Sequence, residues 1–252
     1  MKLLSAALVT MISLIVMSEA GEAMEKVSFT ASDQVEVFAD YYSAGAKTKP
    51  LLLLFHQAGS NRAEYGEIAP TLVALGYNAL AIDQRSGGEM WGRDNETVRH
   101  LGKSSAHYEA LRDLEAALKW ANSSGHSGPI AVWGSSYSAA LVFVLAAKHP
   151  REIKALLAFS PGEYLDGPSD VRMAAAQLSL PVFVTSAKSK DEIDAAKAIL
   201  KVTMSTEKTQ FVPRVEGVHG SSTLRQDRNP RGGDENWAAV KKFLMKVLQE
   251  GG

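Results

Sequence analysis

The stretch Ala131-Val132-Trp133-Gly134-Ser135-Ser136-Tyr137-Ser138-Ala139-Ala140-Leu141 constrains the fold more than any other part of the chain. It reads as a buried strand, a sharp turn of small residues, and then a helix. Small side chains on both sides of Ser136 let the backbone bend that tightly, and such a bend lifts its central side chain clear of the sheet. The pattern around it is regular. Pro50 opens Leu51-Leu52-Leu53-Leu54-Phe55, a continuous apolar run that suits a parallel strand covered on both faces. A helix is expected over 63–75, closed by Gly76, and a second buried strand over 78–82.

Alternating polar and apolar residues over 26–42, with Ser32-Asp33 inside, predict a β-hairpin. The polar, Gly-rich stretch 86–103 reads as a loop. Leu111, Leu114, Leu118 and Ala121 recur at helical spacing within a helix over 106–122. Strands follow at 129–133, 153–159, 182–185 and 209–215, with helices over 136–148, 191–201 and 234–249. Strand and helix alternate throughout, which predicts one α/β domain over 24–250, with a mostly parallel central sheet and helices on both faces. The connection between Phe159 and Pro181 is too short for a large lid, so an open or shallow site is expected.

Composition narrows the chemistry. The chain has no cysteine, which excludes thiol catalysis, disulfides and zinc-thiolate sites. Its formal charge is −1 and its basic residues form no long run, so no nucleic-acid partner is expected. At the N-terminus, Lys2 precedes an apolar run from Leu3 to Met17, and Ser18-Glu19-Ala20 and Gly21-Glu22-Ala23 offer small-x-small cleavage sites. That is the layout of a secretory signal peptide over 1–20. It predicts export to the periplasm or the medium, with no membrane association after cleavage. Oligomeric state is not visible in the sequence.

A serine hydroxyl becomes a nucleophile when a base stands beside it, and histidine is suited to that near neutral pH. Of the six histidines, only His219 lies in a small-residue loop after the last predicted strand and before the last helix. In an open α/β sheet that loop shares the carboxyl edge with the turn bearing Ser136. The base in turn needs a carboxylate to orient it. Asp191, after the strand over 182–185, leads. Glu163, after the strand over 153–159, and Glu192 are the alternatives. Ser189 and Glu192 also have the spacing of a helix capping box, and Asp191 would favour the helix dipole in any case. An oxyanion would need backbone N–H donors. Tyr137 follows the serine, and Ala58 or Gln57 lies in the loop after Phe55. Arg85 could hold a substrate carboxylate, but a structural tie between loops is the better expectation. Met90, Trp91, Tyr137 and Tyr164 are candidates to line a pocket, and Lys188 and Lys190 could favour anionic substrates.

Four segments in this order resemble the α/β-hydrolase fold: Phe55-His56-Gln57-Ala58-Gly59-Ser60, Asp83-Gln84-Arg85-Ser86-Gly87-Gly88, Gly134-Ser135-Ser136-Tyr137-Ser138 and Gly217-Val218-His219-Gly220. The small size and missing lid are similar to dienelactone-hydrolase-like and small carboxylesterase-like proteins. The resemblance implies a serine hydrolase acting on a small-molecule ester, lactone or similar acyl substrate. It implies Ser136 as nucleophile, His219 as base and Asp191 as orienting acid, with neither metal nor cofactor. Three positions depart from the pattern. Gln57 replaces a glycine, Ser138 replaces the second glycine of the turn, and Ser136 stands where dienelactone hydrolases carry cysteine. A peptidase using the same residues and a non-catalytic binding protein on this scaffold are the other readings.

Overall fold

Successive side chains of a strand point to opposite faces, so an unbroken apolar run feeds two cores at once. The computed structural model, which describes residues 24–166 and 170–249, shows this division. Strand β3 (Leu51–Phe55) sends Leu51, Leu53 and Phe55 into one core, and Leu52 and Leu54 into the other. Strands β4 (Asn78–Ile82), β5 (Ile130–Ser135) and β6 (Ile153–Phe159) divide in the same way. Helices α3 (Leu111–Ser123), α4 (Tyr137–Lys148) and α6 (Lys190–Val202) close the first core. Helices α1 (Ile68–Ala74) and α7 (Gly233–Leu248) close the second.

The sheet has eight strands in the order β1-β2-β4-β3-β5-β6-β7-β8. Strand β1 (Met24–Thr30) pairs antiparallel with β2 (Glu36–Tyr42), and β2 pairs antiparallel with β4. The remaining pairs are parallel, through β7 (Val182–Thr185) and β8 (Lys208–Phe211). This is the α/β-hydrolase arrangement expected from the sequence. The parallel strands all end at one edge, so the loops after β3, β5, β7 and β8 meet there.

Several details differ from expectation, among them the last strand, which ends at Phe211 and not at 215. The expected loop over 86–103 contains α2 (Glu96–Leu101), capped by the Asn95 side chain, which accepts from Val98 N at 2.8 Å. Only Thr97 of that helix is buried, so no apolar periodicity announced it. The helix expected over 63–75 is a 3-10 turn at Arg62–Tyr65 followed by α1, separated by Gly66-Glu67. The segment between β6 and β7 carries one helix among its described residues, α5 (Asp170–Ala175). The expected leader over 1–20 lies outside the described residues.

A buried ion network holds the loop after β3. The Arg62 guanidinium, 1% exposed, donates from Nε to Asp40 Oδ1 at 2.8 Å and also pairs with Asp83 and Glu96. Asp83 is itself fully buried and also accepts from Arg62 N at 2.8 Å. Burial raises the Asp83 carboxyl above its usual range, opposed by the neighbouring guanidinium. Removing one partner of such a cluster strands an uncompensated charge. Arg62→Met is therefore expected to lower unfolding stability by about 3–5 kcal/mol at neutral pH. Urea unfolding measures it, and a loss under about 1 kcal/mol would show that the cluster contributes little. Arg85 likewise binds Asp113 and Asp33, with Nε 3.0 Å and Nη2 2.8 Å from Asp113 Oδ1, and so ties loops together.

Candidate active site

Between β5 and α4 the chain turns through Ser136 at φ 58° and ψ −121°, a strained conformation for a residue with a Cβ. The strain is held from both sides. Ser136 N donates to Phe159 O of β6 at 2.8 Å, and α4 begins at the next residue. Gly134 is required because a Cβ there would lie 2.2 Å from the Ser138 carbonyl oxygen. Ser138, in place of a glycine, uses its hydroxyl to donate to His56 O at 2.6 Å and to accept from Gln84 Nε2 at 2.7 Å. The substitution thus fastens the turn to two neighbouring loops.

His219 lies at the end of the loop after β8, with Nε2 2.8 Å from Ser136 Oγ. Its Nδ1 is 3.0 Å from Glu192 Oε1. The three side chains form one continuous chain of hydrogen bonds from residues far apart in sequence. Gly220 lets the His219 loop close onto the turn: it has φ 69°, and a Cβ would come within 2.5 Å of Ser135 Oγ. Ser221 N donates to Ser135 Oγ at 2.9 Å, and Trp133 Nε1 donates to Ser221 Oγ at 2.8 Å.

The carboxylate beside His219 is Glu192, which corrects the expectation of Asp191. Both residues lie in the first turn of α6, but successive helical side chains point about 100° apart. Asp191 is exposed and makes no hydrogen bond or ion pair to His219. Glu192 points back toward the helix N-terminus, as helical side chains do. There Oε1 meets His219 and Oε2 accepts from Ala187 N at 3.1 Å. No side-chain hydrogen bond caps the helix at Ser189, so the expected capping box is not closed. Glu163 is occupied elsewhere. Its oxygens accept from Val171 N at 2.9 Å and Arg172 N at 3.2 Å, anchoring the start of α5.

These contacts set the proton affinities. Partial burial pushes the Glu192 carboxyl up, but hydrogen bonds from His219 and Ser160 outweigh it and hold the group below its usual value. The Glu192 hydrogen bond, opposed by burial, raises the His219 imidazole above its ordinary value. His56 behaves oppositely. It is fully buried, its Nδ1 donates to Gln57 O at 2.7 Å, and its Nε2 accepts from Gln84 N at 3.0 Å. Burial lowers its pKa to about 4, so it is a neutral strut.

The loop after β3 is tied to the turn two residues before Ala58, where His56 O accepts from Ser138 Oγ at 2.6 Å. Ala58 N makes no hydrogen bond to a described residue, whereas Gln57 N donates to Glu64 Oε2 at 2.8 Å. The expectation that Gln57 N could face an oxyanion is thereby corrected. Tyr137 N follows Ser136 at the first position of α4, where a helix leaves its N–H groups without intrahelical partners.

A cleft of about 610 Å³ opens beside His219, lined by Gln57, Met90, Trp91, Val218, Ser222 and Arg228. Trp91 stands at φ 61° with its indole Nε1 donating to Ser60 Oγ at 2.8 Å. The Arg225 guanidinium lies 4.3 Å from its ring centroid. Met90 and Trp91 thus line the cleft as expected, but two other candidates do not. The Tyr137 hydroxyl is buried against Gln84 and Ser86, and Tyr164 lies outside the lining. Lys188 Nζ lies 3.3 Å from the Val215 carbonyl oxygen, and Lys190 pairs with Asp194, so neither reaches into the cleft. Among the described residues no group of three or more His, Asp or Glu side chains could hold a metal ion.

The family model described as serine aminopeptidase, S33, matches residues 46–212. Solved structures share the fold at low identity. An esterase of Pyrococcus furiosus superposes with TM-score 0.67 at 20% identity, covering 90% of this chain and 92% of its own. A dienelactone hydrolase of Anabaena variabilis gives TM-score 0.69 at 16% identity, covering 90% and 99%. A cold-adapted esterase from an Arctic intertidal metagenomic library gives 0.66 at 21%, covering 90% and 94%. No curated protein sequence matches the chain.

Proposed function

The chain belongs to the serine aminopeptidase S33 family of hydrolases, and from that premise we propose that it cleaves carboxylic esters through an acyl-serine intermediate. One observation carries the reading: the unbroken hydrogen-bonded chain Ser136–His219–Glu192, whose serine sits on a strained turn and whose histidine lines the cleft. His219 Nε2 takes the Ser136 proton as Oγ attacks the ester carbonyl carbon. Ala58 N–H and Tyr137 N–H donate to the oxyanion that forms. The imidazolium then gives its proton to the departing alkoxide, releasing an alcohol and leaving the acyl group on Ser136. Water, deprotonated by His219, attacks the acyl carbon. The resulting tetrahedral species expels Ser136 Oγ, which recovers its proton, and a carboxylic acid leaves. Glu192 holds the imidazole tautomer and offsets the imidazolium charge throughout.

The cleft favours an ester over an N-terminal peptide. An aminopeptidase substrate carries an α-ammonium group that needs an anionic partner. The side chains lining this cleft include Arg228 and His219 but no carboxylate. The solved structures that share the fold include two esterases, which supports the same choice. Purified protein is expected to turn over p-nitrophenyl acetate or butyrate and to leave an aminoacyl p-nitroanilide intact. Preference for the anilide would contradict the ester reading. No turnover of any activated ester by folded protein would contradict catalysis. The enzyme acts after export, a placement supported by the leader-like layout of its first residues. N-terminal sequencing of the exported form, if it began at Met1, would refute cleavage.

A further inference from the structure

Glu64 is fully buried beneath the site and takes no part in the steps above. Its two carboxylate oxygens hold two different catalytic segments. Oε2 accepts from Gln57 N at 2.8 Å, in the loop that presents Ala58. Oε1 accepts from Ser135 Oγ at 2.6 Å, in the residue before Ser136. Ser135 Oγ accepts in turn from Ser221 N, two residues beyond His219, at 2.9 Å. One carboxylate therefore joins the oxyanion loop, the serine turn and the histidine loop.

Resting on the acyl-transfer reading above, we propose that Glu64 is a positioning residue that must be ionised for full activity. Its charge fixes the Gln57 peptide so that Ala58 N–H faces the oxyanion, and it supports the His219 imidazolium from below. Both of its oxygens are acceptors of N–H or O–H groups. A proton on Oε2 would face the Gln57 N–H. A proton on Oε1 would face the Ser135 hydroxyl, which already accepts from Ser221 N. A proton on Oε2 thus breaks the tie to Gln57 N, whereas one on Oε1 reverses the bond to Ser135 Oγ, which can accept from both Glu64 and Ser221 N, and leaves the Ser135 proton without its acceptor.

The charged and titratable groups around Glu64 come from several elements. Arg225 Nη1 donates to the Glu64 carbonyl oxygen at 3.0 Å, and both Arg225 and His219 favour the ionised carboxyl. Tyr65 and Tyr137 are neutral, with their hydroxyls raised by burial. Burial dominates at Glu64, opposed by the hydrogen bonds from Ser135 and Gln57, and leaves its pKa raised to about 7. The His219 imidazole is likewise raised above its ordinary value, so the active form needs two deprotonated groups, His219 and Glu64.

The test is the acid limb of the kcat/KM profile for an activated ester. Wild-type enzyme is expected to approach a slope of two in log kcat/KM against pH, because both groups must lose a proton. Glu64→Gln keeps the shape and can still accept from Gln57 N, but it carries no charge. Its limb is expected to have a slope of one and a lower midpoint, since His219 loses a neighbouring negative charge. Its kcat is expected to fall about 10- to 100-fold with little change in KM. A merely structural glutamate would leave the slope unchanged. A wild-type slope of one, or a slope of two retained in Glu64→Gln, would overturn the proposal. If that variant does not fold, the wild-type slope decides alone. Loss of activity in Ser136→Ala with an unchanged Glu64→Gln profile would sink this inference and leave the acyl-transfer reading intact.

Discussion

Ser136→Ala is expected to lower kcat for a short activated ester by about 10⁵-fold. The reason is specific to this turn. Ser136 Oγ is the group His219 Nε2 reaches, at 2.8 Å. Its neighbours cannot substitute for it: Ser135 Oγ is bound to Glu64 and Ser221 N, and Ser138 Oγ to His56 O and Gln84. Both are fully buried. Residual turnover over water would come from the oxyanion donors and from binding. The substitution keeps a Cβ at the same φ, so the strained turn and the fold are expected to persist, and thermal unfolding checks this. Folded Ser136→Ala that retained more than about 1% of wild-type kcat would require another nucleophile.

Glu192→Gln should lower kcat by about 10³- to 10⁴-fold, while Asp191→Asn should leave it within about twofold. The pair separates two adjacent carboxylates by their direction rather than their chemistry. Glutamine at 192 can present its amide N–H to His219 and favour the wrong tautomer. It also removes the negative charge that raises the imidazole pKa. The sign follows from what the base must do. Only neutral His219 accepts the serine proton, so activity is lost as pH falls through its pKa. A raised pKa places that loss above the ordinary imidazole value, and Glu192→Gln moves it to lower pH. Kinetic profiles of both variants measure the effect. A large loss in Asp191→Asn with a wild-type-like Glu192→Gln would reverse the assignment.

Asp191 and Glu192 are neighbours in the first turn of α6, and their position in the sequence alone does not separate them. The position after β7 was readable, because a carboxylate there follows a short apolar strand and opens a helix. Which of two neighbours turned inward was not, since that depends on where the first turn of α6 faces. The spacing Ser189-x-x-Glu192 suggested a capping role that would have occupied Glu192. Instead its longer side chain reaches past the helix end to Ala187 N and His219. Helical direction was the one available signal, because an N3 side chain leans back over the strand end.

The large features were legible because they come from local chemistry. The run Leu51–Phe55, apolar at every position, needs cover on two faces and so predicts a parallel strand within an α/β sheet. The small residues around Ser136 announced the turn, and the loop position of His219 placed it on the same edge. Glu64 and Gln57 were not legible. Gln57 looked like an oxyanion donor because it follows His56, and only the fold shows a buried glutamate seven residues on taking its N–H. Glu64 itself sits in Asn61-Arg62-Ala63-Glu64-Tyr65, which reads as a polar helix start. Its burial follows from long-range closure by Ser135 and the His219 loop, which no window of sequence contains.

The most direct measurement is covalent labelling of the folded wild-type protein with a fluorophosphonate, followed by mass spectrometry of the peptide that spans Ser136. The assembled Ser136–His219–Glu192 chain predicts one adduct per molecule, on Ser136 alone, slowed by orders of magnitude in Glu192→Gln. Folded protein that takes up no label, or takes it up at a different serine, would contradict the account.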